Sequence, residues 1–283
     1  MALIALSGKI GSGKNTVGSI IQYLVWKDRV ESGRISFSNY SLKDFDKFDF
    51  GYQMSGWKQV SFASKLKDIV CLLIGCTREE LENQEFKNKE LGEEWVRYGY
   101  ANGFYYTGES PIMINEACNK EKYEEELKTN HQTAYKESYT PRKLLQFIGT
   151  ELFRKQLHHD IWVNALMSDY KGSPYRENWR NDTGLYENRY PNWIIADMRF
   201  PNELEAVKKR NGITIRVNRY SSTCVCVDDS SLDCLTPCSR KPQHESEVAL
   251  DHVTDWDYVI DNSGTIEELV EKVRTILVNE KII

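Results

Sequence analysis

Residues 8–14 read Gly-Lys-Ile-Gly-Ser-Gly-Lys and fill the frame G-x-x-x-x-G-K, a spacing that can hold phosphate. Glycines there let the backbone curl so that successive N–H groups point inward. A helix starting at the end of the loop adds the positive end of its dipole. Gly11, Ser12 and Gly13 would form the cradle, with Lys14 reaching the β- and γ-phosphates and Thr16 meeting the α-phosphate. Asn15 departs from the pattern, because a serine or threonine hydroxyl usually binds Mg2+ at that position. An amide carbonyl can take that role directly or through water.

A second set of charges lies far along the chain. Asp197 closes an apolar run, where a carboxylate can hold Mg2+-bound water or a substrate group; the plain alternative is an aspartate capping the next helix. Arg199, two residues on, is suited to grip a second phosphate bidentately. Arg142 and Gln146 are four apart, hence neighbours on one helix face, and suit a phosphate and a base edge. A surface pair on an amphipathic helix explains that spacing equally well. The five histidines are scattered, and His158-His159 fits a helix surface better than a metal site. Cys224, Cys226, Cys234 and Cys238 cluster: four thiolates could hold a structural zinc ion, but the paired C-x-x-C knuckles of such a site are absent, which favours ordinary thiols.

Ala2–Leu6 is short, apolar and bounded, as a buried strand should be, and Val17, Ile20, Ile21 and Leu24 recur at helical spacing after the loop. Strand, glycine loop and helix in that order are the context the motif requires. Residues 58–62, 193–197, 213–217 and 258–261 read as further strands. Between and after them fall helices: 63–74; one capped by Thr77; 141–156 with Pro141 at its first position; 161–170; 203–209; and one capped by Thr265. Alternation of this kind predicts a parallel α/β sheet with helices on both faces. Residues 27–57 read as an irregular insertion or hairpin, and the charged run 119–128 as a solvated helix face.

The chain of 283 residues carries a net charge of −5, which argues against an extended nucleic-acid surface but not against a basic cleft for one nucleotide. No apolar run approaches membrane-spanning length, the N-terminus reads as a core strand rather than a signal peptide, and the seven cysteines read as thiols of a reducing cytoplasm.

Taken together, these segments resemble the phage-type deoxynucleoside monophosphate kinases, a branch of the P-loop kinases. The resemblance rests on Gly8 to Thr16, Phe62-Ala63-Ser64-Lys65-Leu66-Lys67-Asp68 and Pro141-Arg142 with Leu144-Leu145-Gln146 and Gly149-Thr150. It continues through Asp197-Met198-Arg199-Phe200 to Glu203 and the turn Asn262-Ser263-Gly264-Thr265. The family commonly has an acidic residue in place of Asn15. The resemblance implies one P-loop kinase domain over 1–283, with a helical substrate-binding insertion at 76–150 and a lid-like segment at 220–247. It implies ATP on Gly11 to Thr16 with Mg2+, and a deoxynucleoside monophosphate meeting Lys67, Lys65, Arg142, Gln146, Gly149, Thr150, Trp162, Asp197, Arg199 and Glu203. Arg216, Arg219 and Arg240 would serve the lid, and His244-Glu245-Ser246-Glu247 is family-like without a role attached.

The implied reaction transfers the γ-phosphoryl of ATP to the monophosphate for dNTP synthesis. An acceptor phosphate with a second pKa of about 6 is already largely ionised at pH 7, so no general base is needed. Alignment and positive charge are needed instead, from Mg2+, Lys14 and the arginines. The alternatives are another small-molecule P-loop kinase, such as one acting on dephospho-coenzyme A, and a nucleotide-gated binding protein. The expected partners are small molecules, with neither nucleic acid nor membrane among them, and a homodimer is left open.

Overall fold

The computed structural model describes residues 2–36, 39–46, 50–107, 110–118, 120–129, 134–172, 190–219 and 245–283. In chain order come β1 (Leu3–Ser7), α1 (Lys14–Glu31), α2 (Phe50–Ser55), β2 (Trp57–Val60) and α3 (Ser64–Ile74). Then follow α4 (Arg78–Glu82), α5 (Gln84–Asn88), β3 (Arg97–Thr107), β4 (Ser110–Cys118), α6 (Lys120–Thr129), β5 (Ala134–Glu137) and α7 (Pro141–Gln146). A π-helical segment, Phe147–Leu157, leads to α8 (Ile161–Met167), β6 (Asn192–Met198), α9 (Pro201–Lys208) and β7 (Ile213–Asn218). The chain closes with α10 (Glu245–Val248), β8 (Tyr258–Asp261) and α11 (Ile266–Asn279). Two compact units result: Met1–Ser64 with Asp160–Ile283, and Lys65–His159.

The first unit is built on a parallel sheet of order β2-β6-β1-β7-β8. Strand period two decides its layers. Ile4 and Leu6 face one core with Ile194, Ile215 and Val217, which α1 covers through Val17, Ile20, Ile21 and Leu24, and α11 through Leu269, Val273, Ile276 and Leu277. Leu3 and Ala5 face the other, with Trp193 and Ile195, under Val163 and Leu166 of α8 and Leu204 and Val207 of α9. Burying each such aliphatic side chain contributes about 1.5–3 kcal/mol, so both faces of the sheet are strongly fixed. The connection out of β1 runs toward β2 on one side and the connection out of its neighbour β7 runs to β8 on the other, making the carboxyl ends of β1 and β7 a topological switch point where ligands gather.

Two departures from the sequence reading have clear causes. Residues 27–57 are neither irregular throughout nor a hairpin: α1 runs on to Glu31, a 3-10 turn spans Leu42–Asp46, and α2 follows. The region shows no stripe because an aromatic cluster holds it, with Phe45 ringed by Tyr23, Trp26 and Phe50 at 5.3–5.5 Å between centroids. The helix expected over 141–156 begins as α7, with the Thr140 side chain capping Lys143 N–H, but widens to π geometry from Phe147.

The second unit holds a three-stranded antiparallel sheet, β4-β3-β5, that sequence reading did not resolve. The charged run is helical, as α6. Around it, α4 carries a complete capping box between Thr77 and Glu80. The insertion expected over 76–150 lies inside this unit, which starts earlier and ends later.

Candidate phosphate-binding site

β1 ends at Ser7 and α1 begins at Lys14, so residues 8–13 bridge strand and helix at the switch point. Gly8 and Gly13 are steric necessities here. Gly8 sits at φ 156°, and a Cβ there would collide with the carbonyl oxygen of Val217. Gly13, at φ 94°, is the left-handed residue before α1, and a Cβ would strike the Asn262 amide. That amide donates to Ser12 O at 2.8 Å, while Asn262 N–H donates to Asn218 O at 2.7 Å. The loop is therefore propped from the ends of β7 and β8, a function that the family-like turn at 262–265 had not been given. Ser12 Oγ is buried without a hydrogen-bond partner.

Lys14 folds over this loop, its Nζ donating to the carbonyls of Gly8 and Lys9, both at 2.8 Å. Its pKa falls from 10.5 to about 8, first through burial and then through the neighbouring Arg199 charge, with Arg216 adding to the fall and Glu247 and Asp197 opposing it. An ammonium held this way gains from any anion that comes within reach. Asn15 is exposed and Thr16 half-buried at the start of α1.

Register brings the other charges alongside. Ser7 pairs with Met198 of β6 and with Arg216 of β7, so Asp197, Arg199 and Arg216 stand level with the loop. Between Ala5 and Ser7 the register slips by one, so that Ala196 and Asp197 both oppose Leu6; this bulge re-aims the carboxylate. Asp197 accepts from Ser61 Oγ at 2.5 Å, Phe62 N–H at 2.9 Å and Ala63 N–H at 3.1 Å. It thus ties down the turn from β2 into α3. It does not cap α9, whose start is held by Glu203: that buried carboxylate accepts the N–H groups of Arg199 (2.8 Å) and Phe200 (3.1 Å).

Arg199 pairs with Glu247, and Arg216 donates to Ser7 Oγ at 3.1 Å and Asp251 Oδ1 at 2.9 Å, its guanidinium 5.7 Å from the Trp256 ring centre. Sequence reasoning attached no role to Ser7, Lys9 or Asp251, and marked Glu247 only within a family-like segment. No local spacing marks them, since their partners are up to 242 residues away. Trp162 is buried on α8, and Arg219 is exposed just past β7. Arg240, Cys224, Cys226, Cys234, Cys238 and His244 lie outside the described residues.

The remaining expected residues belong to the second unit. Arg142 donates through Nε to Asn88 Oδ1 at 2.8 Å and through Nη2 to Gln84 Oε1 at 2.7 Å, so α5 orients it. Lys67 pairs with Glu82 at 2.6 Å, and Lys87 reaches the same carboxylate at 3.0 Å. Burial opposes ionisation of Glu82, but the two lysines bring its pKa below the ordinary value. Lys65 is half-buried and Gln146 exposed on the turn after Arg142. Gly149 and Thr150 are buried in the π segment, and a Cβ on Gly149 would press on Leu66 Cδ2 at 2.6 Å.

A family model described as deoxynucleotide monophosphate kinase matches residues 2–273. The chain belongs to that family. It is 31% identical over 134 residues to a protein of Acanthamoeba polyphaga mimivirus named as a deoxynucleotide monophosphate kinase, covering 47% of this chain and 59% of that protein. To the deoxynucleoside-5'-monophosphate kinase of Escherichia phage T5 it is 26% identical over 221 residues, covering 74% and 72% of the two chains. To the deoxynucleotide monophosphate kinase of Enterobacteria phage T4 it is 24% identical, covering 98% and 99%. Family membership makes the chain a phosphotransferase acting on small nucleotide substrates. Among the described residues no helix is long and apolar enough to cross a membrane.

Proposed function

We propose that the chain transfers the γ-phosphoryl of ATP to a deoxynucleoside 5'-monophosphate, with the donor phosphates on Gly11 to Thr16. The observation carrying this reading is the gathering of Lys14, Arg199 and Arg216 around a glycine loop at the switch point, a cluster of cations that polyphosphate would complete. Backbone N–H groups and the start of α1 would cradle the phosphates, Lys14 would follow charge from β- to γ-phosphate, and the arginines would neutralise the approach of two anions.

The donor set suits a Mg2+ ion carried in on the phosphates. Among the described residues no three ligating side chains converge, and Mg2+ held by phosphates and water needs only one or two protein groups. Asn15, exposed beside the loop, and Asp197 are the residues that would hold it, directly or through water. The ion would supply charge neutralisation on the transferring phosphoryl group.

For the acceptor, Arg142 and Gln146 are assigned to the monophosphate, with Lys65, Lys67, Gly149 and Thr150 of the same unit shaping its site. The preset orientation of Arg142 by Gln84 and Asn88 supports this, because a guanidinium already fixed loses little freedom on meeting a phosphate. A coupled ADP-release assay with Mg2+–ATP against ribo- and deoxynucleoside monophosphates tests the reading. Turnover confined to deoxy members is expected; no turnover with any nucleotide, in protein that binds ATP, would overturn it.

A further inference from the structure

Two carboxylates four residues apart, Glu247 in α10 and Asp251 in the turn after it, organise the positive charge around the loop, and neither has a part in the reaction as described above. Glu247 uses both oxygens: Oε1 pairs with Arg199, and Oε2 accepts the N–H of Ile10 at 3.2 Å. Its main-chain carbonyl also accepts from Lys9 Nζ at 2.6 Å. Asp251 likewise uses both: Oδ1 accepts from Arg216 at 2.9 Å, and Oδ2 pairs with Lys9. Arg216 is thus held by Ser7, Asp251 and the Trp256 face, with only 13% of its side chain exposed.

We infer that Glu247 and Asp251 are positioning residues, holding Arg199 and Arg216 beside Lys14 in the orientation that phosphoryl transfer requires; this rests on the kinase reading above. A flexible arginine meeting a moving phosphoryl group must surrender rotamer freedom at the moment of reaction, whereas one already bound to a carboxylate has surrendered it on folding. The partition of contacts supports orientation over competition. Carboxylates that stood in for phosphate would bind Lys14, yet its ammonium donates to the carbonyls of Gly8 and Lys9 and to neither acid. Asp251 and the Glu247 carbonyl also draw the Lys9 ammonium to themselves, so Lys9 serves as a tether between the loop and this segment.

The test is full steady-state kinetics of Glu247→Gln, Asp251→Asn and Glu247→Asp, with melting temperature as the folding control. Misplacing a reacting group by about 1 Å can cost about a hundredfold. Glu247→Gln and Asp251→Asn are therefore expected to lower kcat by about tenfold or more, with the KM for ATP changed by less than about threefold. Glu247→Asp, which keeps the charge, should recover part of kcat. Either variant suffices should the other fail to fold. A lower KM for ATP at unchanged kcat would mean that the carboxylates compete with phosphate, and unchanged kinetics would mean that they only hold the fold; each overturns the inference while wild-type turnover leaves the kinase reading intact. Absence of turnover in the wild type overturns both.

Discussion

The loop at residues 8–14 and Arg142 are both assigned to phosphate, yet they are built by opposite means. In the first unit the grip is main chain, shaped by glycines wedged against Val217 and Asn262 at the ends of parallel strands. In the second it is a single side chain, oriented by two carboxamides on α5. A main-chain grip depends on backbone conformation, so it demands particular residue types at particular spacing and reads as a motif. A side-chain grip depends on which surfaces the fold brings together, and leaves only an ambiguous pair four residues apart.

Removing the loop's cation should give the largest effect. Lys14→Ala is expected to lower kcat about a thousandfold with little change in melting temperature, since the cost of burying the ammonium offsets its two bonds to the Gly8 and Lys9 carbonyls. Arg142→Ala should instead raise the KM for the monophosphate, by about ten- to a hundredfold for a lost charged hydrogen bond, while leaving the KM for ATP nearly unchanged. If both variants affected the two substrates alike, the division of labour between the units would collapse.

Structural effects should be smaller and confined to their own unit. Asp197→Ala strips partners from two backbone N–H groups and the Ser61 hydroxyl and is expected to cost about 2 kcal/mol in urea unfolding, beyond any loss of activity. Thr77→Ala, which breaks the capping box of α4, should cost about 1 kcal/mol and leave ATP binding untouched.

The smallest effect is a fraction of a proton. Lys14 titrates at about 8 rather than 10.5, so between those values the unfolded chain binds a proton that the folded chain has released. Stability from this group therefore rises with pH across that window, and its burial is a penalty below about pH 8. Bound polyphosphate would pull the pKa back up, so ATP binding near pH 9 should take up protons. Calorimetry in buffers of different ionisation enthalpy would measure this uptake, and Lys14→Met should abolish it.

The first unit was legible almost throughout. Its strands are apolar runs, its helices carry stripes, Thr265 caps α11, and Asn211, at φ 52°, follows the end of α9. Region 27–57 was not legible, because edge-to-face aromatic contacts impose no period on the sequence. The sheet β4-β3-β5 was not legible either, its polar and aromatic strands lacking the clean alternation of a half-buried sheet.

For Asp197 the residue type and position were readable but the partners were not. Only the tertiary structure decided that its oxygens hold the turn at 61–63, more than 130 residues away, through a bulge opposite Leu6. The same holds for Glu247 with Arg199 and for Asp251 with Arg216: the arginines stand near the ends of β6 and β7, on either side of β1, and both acids come from the segment that begins at α10. By itself the sequence determined whatever is dictated within a few residues: glycine spacing, strand and helix periods, caps, and through them the family. Strand order decided the electrostatics of the site, since charges far apart in the chain act on one another only once the sheet has set them a few ångströms apart.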